Sequence, residues 1–596
     1  MQAAQVPKCY YRSEPIDGSY QELFRILATK SIREGTDILR RIQSGDDVET
    51  ILRHIQRADL LKQDHVVPDR YYQYEFPYRK DMPRFLFREE NQYLDSWLYK
   101  YSSSETREPQ DDNSLVDKAI IYQVPYHAAE MIEPCLDQIK ARKWTSIVDD
   151  DILMRELLQT YFLTEYTFFP AFPKDYFLQD MAAGRKNYCS PLLVHAVLAS
   201  ACHGYPKMDR RSRFWNPQTL GYRFLAEARR LWELEIGQAH LATIQAAIVL
   251  ALVYIANGSD EVGRSYLIQA VAAAHAMQLF SIKPKTSDDR DYKARAVTAW
   301  GLFGLQAVQC FHAFKAPLLL MPPSIPIADQ DGCCGEFELY YPSTQGPVQV
   351  NYGHTFQALS ELRVIINDVA AVFFSDLKVT SQNAVNKIRG FCIRLDSWYR
   401  NLPPDLSARE ICFPWQLKIH MHYYHLSIYL LETLCMSSTQ ALHDESVQKV
   451  LSDAKTRLET LLRLYYLRHG FVSHDVFVLS PLSFLGFMEV KSLKGADGAE
   501  LEGRRSTVVL VAKGLRDQSE NCYLARLLLL ILKGSIGSQN DFLLKDLEIE
   551  EEDGEEVKVM KEQVNSSWPL DLEWIDVDPE EQRLGNLIKK TKDLQI

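Results

Sequence analysis

Thr243-Ile244-Gln245-Ala246-Ala247-Ile248-Val249-Leu250-Ala251-Leu252-Val253-Tyr254-Ile255-Ala256-Asn257 decides the fold. It is apolar around nearly its whole circumference when wound as a helix, which predicts a helix buried on all sides. Asn257-Gly258 stops it, and Ser259-Asp260-Glu261 opens another that runs to Phe280. Ala270, Ala272, Ala273, Ala274 and Ala276 leave room for neighbouring helices to approach closely. Two such helices joined by a short turn predict an antiparallel pair. No period of about 34–47 residues is sustained, so the pair is not one unit of a solenoid.

Outward from this pair the helical spacing continues. Asp150-Asp151 precede Ile152, Leu153, Leu157, Leu158, Tyr161 and Phe162, so a helix starts near Asp151. Asn216-Pro217 reads as an N-cap and first helical residue, and Gly237 as a stop, around inward Phe224, Leu225, Ala228, Leu231 and Trp232. Residues 316–352 are a Pro/Gly-rich connection, with 337–341 the best strand candidate. Helices resume over 354–377, 381–401, 414–434 and 444–468; Pro403-Pro404 forbid continuation of the second. Residues 477–490 read as looser, and 506–533 as one last long helix. Towards the N-terminus, Ser19-Tyr20-Gln21-Glu22 has the form of a capping box. Leu23, Leu27, Ile38 and Ile42 continue its stripe to Ser44-Gly45. Val48, Ile51, Leu52 and Ile55 follow on a second helix capped by Asp46 or Asp47.

The resulting expectation is an all-α protein. Residues 1–65 are a helical-hairpin segment and 66–143 a Pro/Tyr-rich linker whose tyrosines lie on the body. Residues 144–535 are a large multi-helix body, and 536–596 an acidic, partly disordered tail.

Composition supports a sizeable core: of 596 residues, 46% are hydrophobic and 24% charged. Between Asp541 and Arg583 there are sixteen Asp or Glu against four Lys or Arg, an excess equal to the whole net charge of −12. The body is therefore neutral, and no stretch is basic enough for a phosphate-binding surface. The eleven cysteines are scattered and odd in number, which suits reduced thiols in a nuclear or cytosolic compartment. The first residues hold no apolar run, so no secretory leader is expected. The most apolar runs, 246–256 and 527–532, fall short of the roughly 20 residues that span a bilayer, so a soluble protein with no membrane partner is expected.

Chemistry is sparse. No C-x-x-C occurs, and Cys333-Cys334 is a vicinal pair in a glycine-flanked loop, poorly placed for tetrahedral chelation. His420, His422 and His425 cluster, but His420 points away from His422 on a helix, and Tyr423, Tyr424 and Leu426 mark the stretch as packing. Asp149-Asp150-Asp151 and Asp288-Asp289-Arg290-Asp291 invite comparison with the magnesium-binding helices of all-α terpene synthases. Both precede helices, where Asp caps free amides and complements the dipole. No nucleophile elbow or phosphate loop is present. No residue is assigned as catalytic, cofactor-binding or metal-binding, and the expectation is that the chain is not an enzyme. In the tail, Trp568, Leu570, Leu572, Trp574 and Ile575 interleave with Asp and Glu. That is the composition of activation segments that stay solvated and offer aromatic groups to a coactivator groove. The alternative is an arm whose Trp568 and Trp574 dock on the body.

The series Phe177-Leu178-Gln179-Asp180-Met181, Cys189-Ser190-Pro191-Leu192-Leu193-Val194-His195-Ala196, Ala228-Arg229-Arg230-Leu231-Trp232-Glu233, Ile244-Gln245-Ala246-Ala247, Ala299-Trp300-Gly301-Leu302-Phe303 and Pro322-Pro323-Ser324-Ile325-Pro326 resembles the middle homology, or regulatory, region of fungal zinc-cluster transcription factors. The resemblance runs from about Ser19 to Lys533. It implies RNA polymerase II gene control from the nucleus, with shuttling to the cytoplasm. Its implied partners are the transcription machinery or a coactivator. It also leaves room for a small-molecule effector and for a homo- or heterodimer. The family's zinc cluster is not in this sequence. DNA contact is therefore expected only if a cluster is supplied upstream or by a partner. The alternatives are a magnesium-dependent helical enzyme and a non-catalytic helical scaffold.

Overall fold

The computed structural model describes residues 18–29, single positions between 38 and 52, 86–103 and 121–544 with short gaps (the longer ones around 282–288, 328–336, 342–346 and 376–380), then 564–568 and 583–590. Helices dominate. They are α1 (Gly18–Thr29), α2 (Trp97–Ser103), α3 (Asp151–Leu163), α4 (Lys174–Ala183), α5 (Pro191–Gly204), α6 (Leu220–Glu235), α7 (Leu241–Ala256), α8 (Asp260–Ala276) and α9 (Asp289–His312). Beyond the central connection come α10 (Tyr352–Phe373), α11 (Ser381–Arg400), α12 (Pro414–Ser437), α13 (Glu445–His469), α14 (Leu479–Ser492), α15 (Gly498–Ser519), α16 (Tyr523–Ile536) and α17 (Leu584–Lys590). The described residues are all-α apart from one small sheet. No described helix is long and apolar enough to cross a membrane.

The apolar stretch takes the central place its composition predicts. Every residue of α7 from Thr243 to Ala256 is buried. α8 folds back along it, and Gly263 makes that approach possible: a Cβ there would lie 2.9 Å from the Ala251 carbonyl oxygen. On another face α9 crosses α7. Gln245 Nε2 donates to Thr298 Oγ1 at 2.8 Å, and Thr298 Oγ1 donates to the Ala171 carbonyl at 3.1 Å. These bonds satisfy polar atoms that would be costly if left unpaired in an apolar layer. Gly301 allows α9 to touch the loop before α4, since a Cβ would come within 2.5 Å of the Pro170 carbonyl oxygen. Gln306 joins α9 to α10 by donating to Asn367 Oδ1 at 2.7 Å.

Several boundaries differ from the sequence reading. α1 begins at Gly18, so Ser19 lies inside the helix rather than capping it. Leu23, Ile38, Ile51 and Leu52 form a small cluster of their own, as the hairpin stripe predicts, whereas the Ser44-Gly45 stop and Ile55 lie outside the described residues. Asn216 and Pro217 form a turn: Gln218 N–H donates to Asn216 Oδ1 and Thr219 N–H to the Asn216 carbonyl, which delays α6 to Leu220. The looser segment is the helix α14. The expected single helix over 506–533 is two, α15 and α16. The break is held by Gln518 Nε2, which donates to the Phe471 and Ser473 carbonyls, and by Asn521 Nδ2, which donates to the Val472 carbonyl. These are tertiary bonds that local spacing cannot reveal.

The Pro/Tyr-rich stretch is part of the body where it is described, with Tyr93, Tyr122 and Tyr126 in the main core. It also supplies β1 (Glu130–Met131), which pairs antiparallel with β2 (Phe337–Tyr340), itself paired with β3 (Val348–Val350). The expected strand therefore finds its partner more than two hundred residues away.

Candidate functional site

The acidic clusters are spent on helix ends. Asp150 Oδ1 accepts from the amides of Ile152 and Leu153 at 2.8 and 3.1 Å, capping α3. Asp151 pairs with Lys140 and accepts from the Ala141 amide, and Asp149 pairs with Arg142. In the second cluster, Asp289 pairs with Lys293 one helical turn on. Among the described residues no group of three His, Cys, Asp or Glu is arranged to hold a metal ion.

The histidines divide as the helical geometry requires. His420 turns to a tyrosine cluster: Nδ1 lies 2.8 Å from Tyr93 Oη, and Nε2 lies 2.8 Å from the Leu406 carbonyl oxygen. His422 and His425 face the other way, towards His312 of α9, with ring centres 6.1 and 5.6 Å from it. His312 Nε2 meets Ser480 Oγ at 2.7 Å and its Nδ1 meets the Val308 carbonyl at 3.1 Å. Burial pushes the pKa of His312 down to about 4 and that of His425 to about 3. It also holds His422 well below the usual imidazole range. All three rings are therefore neutral at pH 7.

Two buried cations lie nearby and are handled differently. Lys418 Nζ is held by both carboxylate oxygens of Asp475, at 2.9 and 2.8 Å, and Tyr465 Oη donates to the same carboxylate. Arg363 has no carboxylate partner among the described residues. It donates to the Phe168 carbonyl at 2.6 Å and lies 4.0 Å over the Phe169 ring. Desolvation pushes its pKa down to about 9.

The tail meets the body beside the histidines. Ser567 donates to Asp260 Oδ2 through its amide at 3.0 Å and its hydroxyl at 2.8 Å. The Asn565 carbonyl accepts from the Glu261 amide at 3.3 Å. The strap thus satisfies one of the first amides of α8, which have no acceptor within their own helix. Burial raises the Asp260 pKa, opposed by the bonds from the two serines. The strap is tied in turn to α17, because Leu584 N–H donates to the Trp568 carbonyl and Gly585 N–H to the Ser566 carbonyl. Trp568 lies partly buried, its ring 5.6 Å from that of His312. Beneath it is a cavity of about 40 Å³ with almost wholly apolar walls, formed by Ile255, Leu305, Val308, Val476 and Phe477. Asp260, Gln309 and His422 also line it, and each has one buried polar atom without a partner, Oδ1, Oε1 and Nε2 respectively.

Of the expected tail residues, Trp568 therefore docks. Leu570, Leu572, Trp574 and Ile575 lie outside the described residues. Sequence reading missed Gln309, His312 and Ser480, which sit on apolar helices far apart in the chain. Asp260 was legible only as a helix start.

Within this all-α body, residues 158–306, which include the buried central helix pair, match the family model described as the fungal specific transcription factor domain. The matched span runs from within α3 to within α9. Among curated relatives, the chain is 29% identical over 349 residues to the nitrogen assimilation transcription factor nirA of Emericella nidulans, covering 55% of this chain and 39% of that protein. It is 28% identical over 299 residues to the notoamide biosynthesis transcriptional activator notL' of Aspergillus versicolor, covering 48% of this chain and 46% of that protein. It is 24% identical over 360 residues to the nitrogen assimilation transcription factor nit-4 of Neurospora crassa, covering 55% of this chain and 32% of that protein. The chain thus spans less than half the length of these relatives. No solved structure matches.

A binuclear zinc cluster needs closely spaced, paired thiolates. The described cysteines do not fit that pattern. They are spread along the body without paired spacing, for example Cys202 on α5, Cys310 on α9 and Cys435 on α12.

Proposed function

We propose that this chain is a fungal transcriptional regulator acting from the nucleus, in which the helical body gates activity rather than catalysing a reaction. The observation that carries this reading is the fungal transcription factor domain over residues 158–306, whose helices form the buried centre of the body. The named activities of the relatives point the same way. The use of the acidic clusters as helix caps and ion pairs removes the main support for the magnesium-dependent enzyme. DNA contact would come from a zinc cluster encoded upstream of these residues or carried by a partner chain. The partners would be the transcription machinery or a coactivator, with a homo- or heterodimer as the working form. The activation segment would begin at the docked Trp568 and continue through Leu570, Leu572, Trp574 and Ile575.

Tethering supplies the test. The whole chain is fused to an unrelated DNA-binding domain and expressed in a filamentous fungus with a matching reporter. A severalfold change in transcript relative to the DNA-binding domain alone is the expected result. Replacing Leu570, Leu572 and Trp574 together by Ala should abolish an increase while leaving the melting of the body unchanged. A fusion indistinguishable from the DNA-binding domain alone would contradict the proposal.

A further inference from the structure

The cavity beneath Trp568 has a composition that packing alone does not explain. A close-packed core leaves few voids, and buried polar atoms nearly always find partners. Here a void and three unpaired polar atoms, Asp260 Oδ1, Gln309 Oε1 and His422 Nε2, occur together. Gln309 is only 7% exposed, and its Nε2 is used by the Asp260 carbonyl at 3.1 Å, which leaves Oε1 unpaired. His422 is also 7% exposed, and its Nε2 is unpaired. Both residues line the same cavity, which has apolar walls and Trp568 as one side.

The size of the void sets a condition. About 40 Å³ holds a water or two but no metabolite. A larger guest needs the space taken by the indole of Trp568. That indole sits on a strap described over residues 564–568, fastened to α8 by three hydrogen bonds and to α17 by two. Movement of the strap would leave the α7–α9 packing untouched.

We propose that the cavity beneath Trp568 is a ligand site, that its ligand is a neutral, flat heteroaromatic molecule of one or two rings, and that Trp568 is its built-in competitor. No Lys or Arg lines the cavity, so an anionic guest would bury its charge without a counterion. Asp260, the one carboxylate on the wall, is engaged by Ser567 through Oδ2 and leaves Oδ1 unpaired; burial holds the group towards its neutral form, which makes it a weak counterion for a cation. A ring N–H would donate to Gln309 Oε1. The His422 imidazole, which can present Nε2 as donor or acceptor according to tautomer, would meet a second polar atom of the guest. Ring faces would stack between Phe477 and His312, where Trp568 already leans. The proposal deepens the regulator reading by naming what the body would sense, and it rests on that reading only for its biological meaning.

Indole is the probe that tests it. Its binding to the purified full-length chain is measured by calorimetry, and exposure of the strap by limited proteolysis. If the strap fills the site in roughly nine molecules of ten, removing the side chain tightens apparent affinity about tenfold. W568A should therefore bind one equivalent of indole about ten times more tightly than the unaltered chain, whereas W568F should change affinity less. Adding Q309L to W568A should return affinity to the starting level or below. In the unaltered chain, saturating indole should speed cleavage at the strap. Equal affinity in W568A and the unaltered chain would overturn the proposal, as would undiminished binding in the double variant or a strap still protected at saturation. W568F guards against a misfolded W568A, because it preserves an aromatic plug. None of these measurements involves transcription, so a negative reporter assay and a negative binding assay remain separate results.

Discussion

The α7–α9 layers and the strap at Trp568 are held together by opposite means. Around α7 the chain buries an unbroken apolar surface, and its few side-chain bonds, such as Gln245 Nε2 to Thr298 Oγ1, add to that burial while Gln245 Oε1 stays unpaired. At the strap a handful of hydrogen bonds fastens five residues over a void whose walls retain unpaired polar atoms. Burial of apolar area at roughly 25 cal/mol per Å² makes the first region cooperative with global folding. The second, held by so few bonds, is expected to open at lower free energy than the body. A regulator needs both, a body that does not change and an attachment that can.

The contrast can be broken at its strong end first. Asp475→Ala would strand the Lys418 ammonium in the core and should cost about 3–5 kcal/mol in denaturant unfolding. A loss under 1 kcal/mol would mean that the pair is hydrated. Leu250→Ala in the middle of α7 should cost about 2–5 kcal/mol in the same assay, as expected where a buried cavity cannot collapse.

Acid should act next. His312 and His420 are held at about 4, and His203 and His425 at about 3, all below the ordinary 6.5 and all because burial penalises the charged ring. Below pH 6.5 the unfolded chain binds protons that the folded chain refuses, so stability falls as pH falls towards 3. Each such histidine contributes up to about 1.4 kcal/mol per pH unit across its own window. Melting temperatures recorded between pH 7.5 and 5 should therefore decline on the acid side; a flat profile would mean that these rings are solvated.

Smaller effects sharpen the picture. Asp150→Ala removes a cap bonded to two amides and should cost about 0.5–2 kcal/mol. Added magnesium should leave both proteins unmoved, and a magnesium-dependent rise in melting temperature lost in the variant would revive the enzyme reading. Smallest of all, Trp568→Ala should change global stability by less than about 1 kcal/mol, since the strap opens on its own. Its effect should appear instead as faster proteolysis near residue 568.

The same contrast explains what was legible. Helical spacing and the all-round apolar run of 243–257 are local, so the body, its central pair and most helix positions followed from sequence. The break at Glu520–Cys522 depends on Gln518 and Asn521 reaching the carbonyls of Phe471, Ser473 and Val472, and no local pattern carries that. The strap is harder still. Ser567 and Asp260 are more than three hundred residues apart, and composition alone left both a free activation segment and a docked arm open for Trp568. The His312–His422–His425 cluster was half legible: the spacing set His420 aside, but nothing in the sequence brought His312 to the other two.

Hydrogen–deuterium exchange on the full chain tests the division between body and strap most directly. Amides of α7 should exchange only through global unfolding. The Glu261 amide, whose acceptor is the Asn565 carbonyl, and the amides of 565–568 should exchange together and orders of magnitude faster. Trp568→Ala should accelerate that second group and leave α7 unchanged. A strap that exchanges at the rate of α7, or a substitution at Trp568 that speeds α7 as well, would contradict the division and make the tail an integral part of the core.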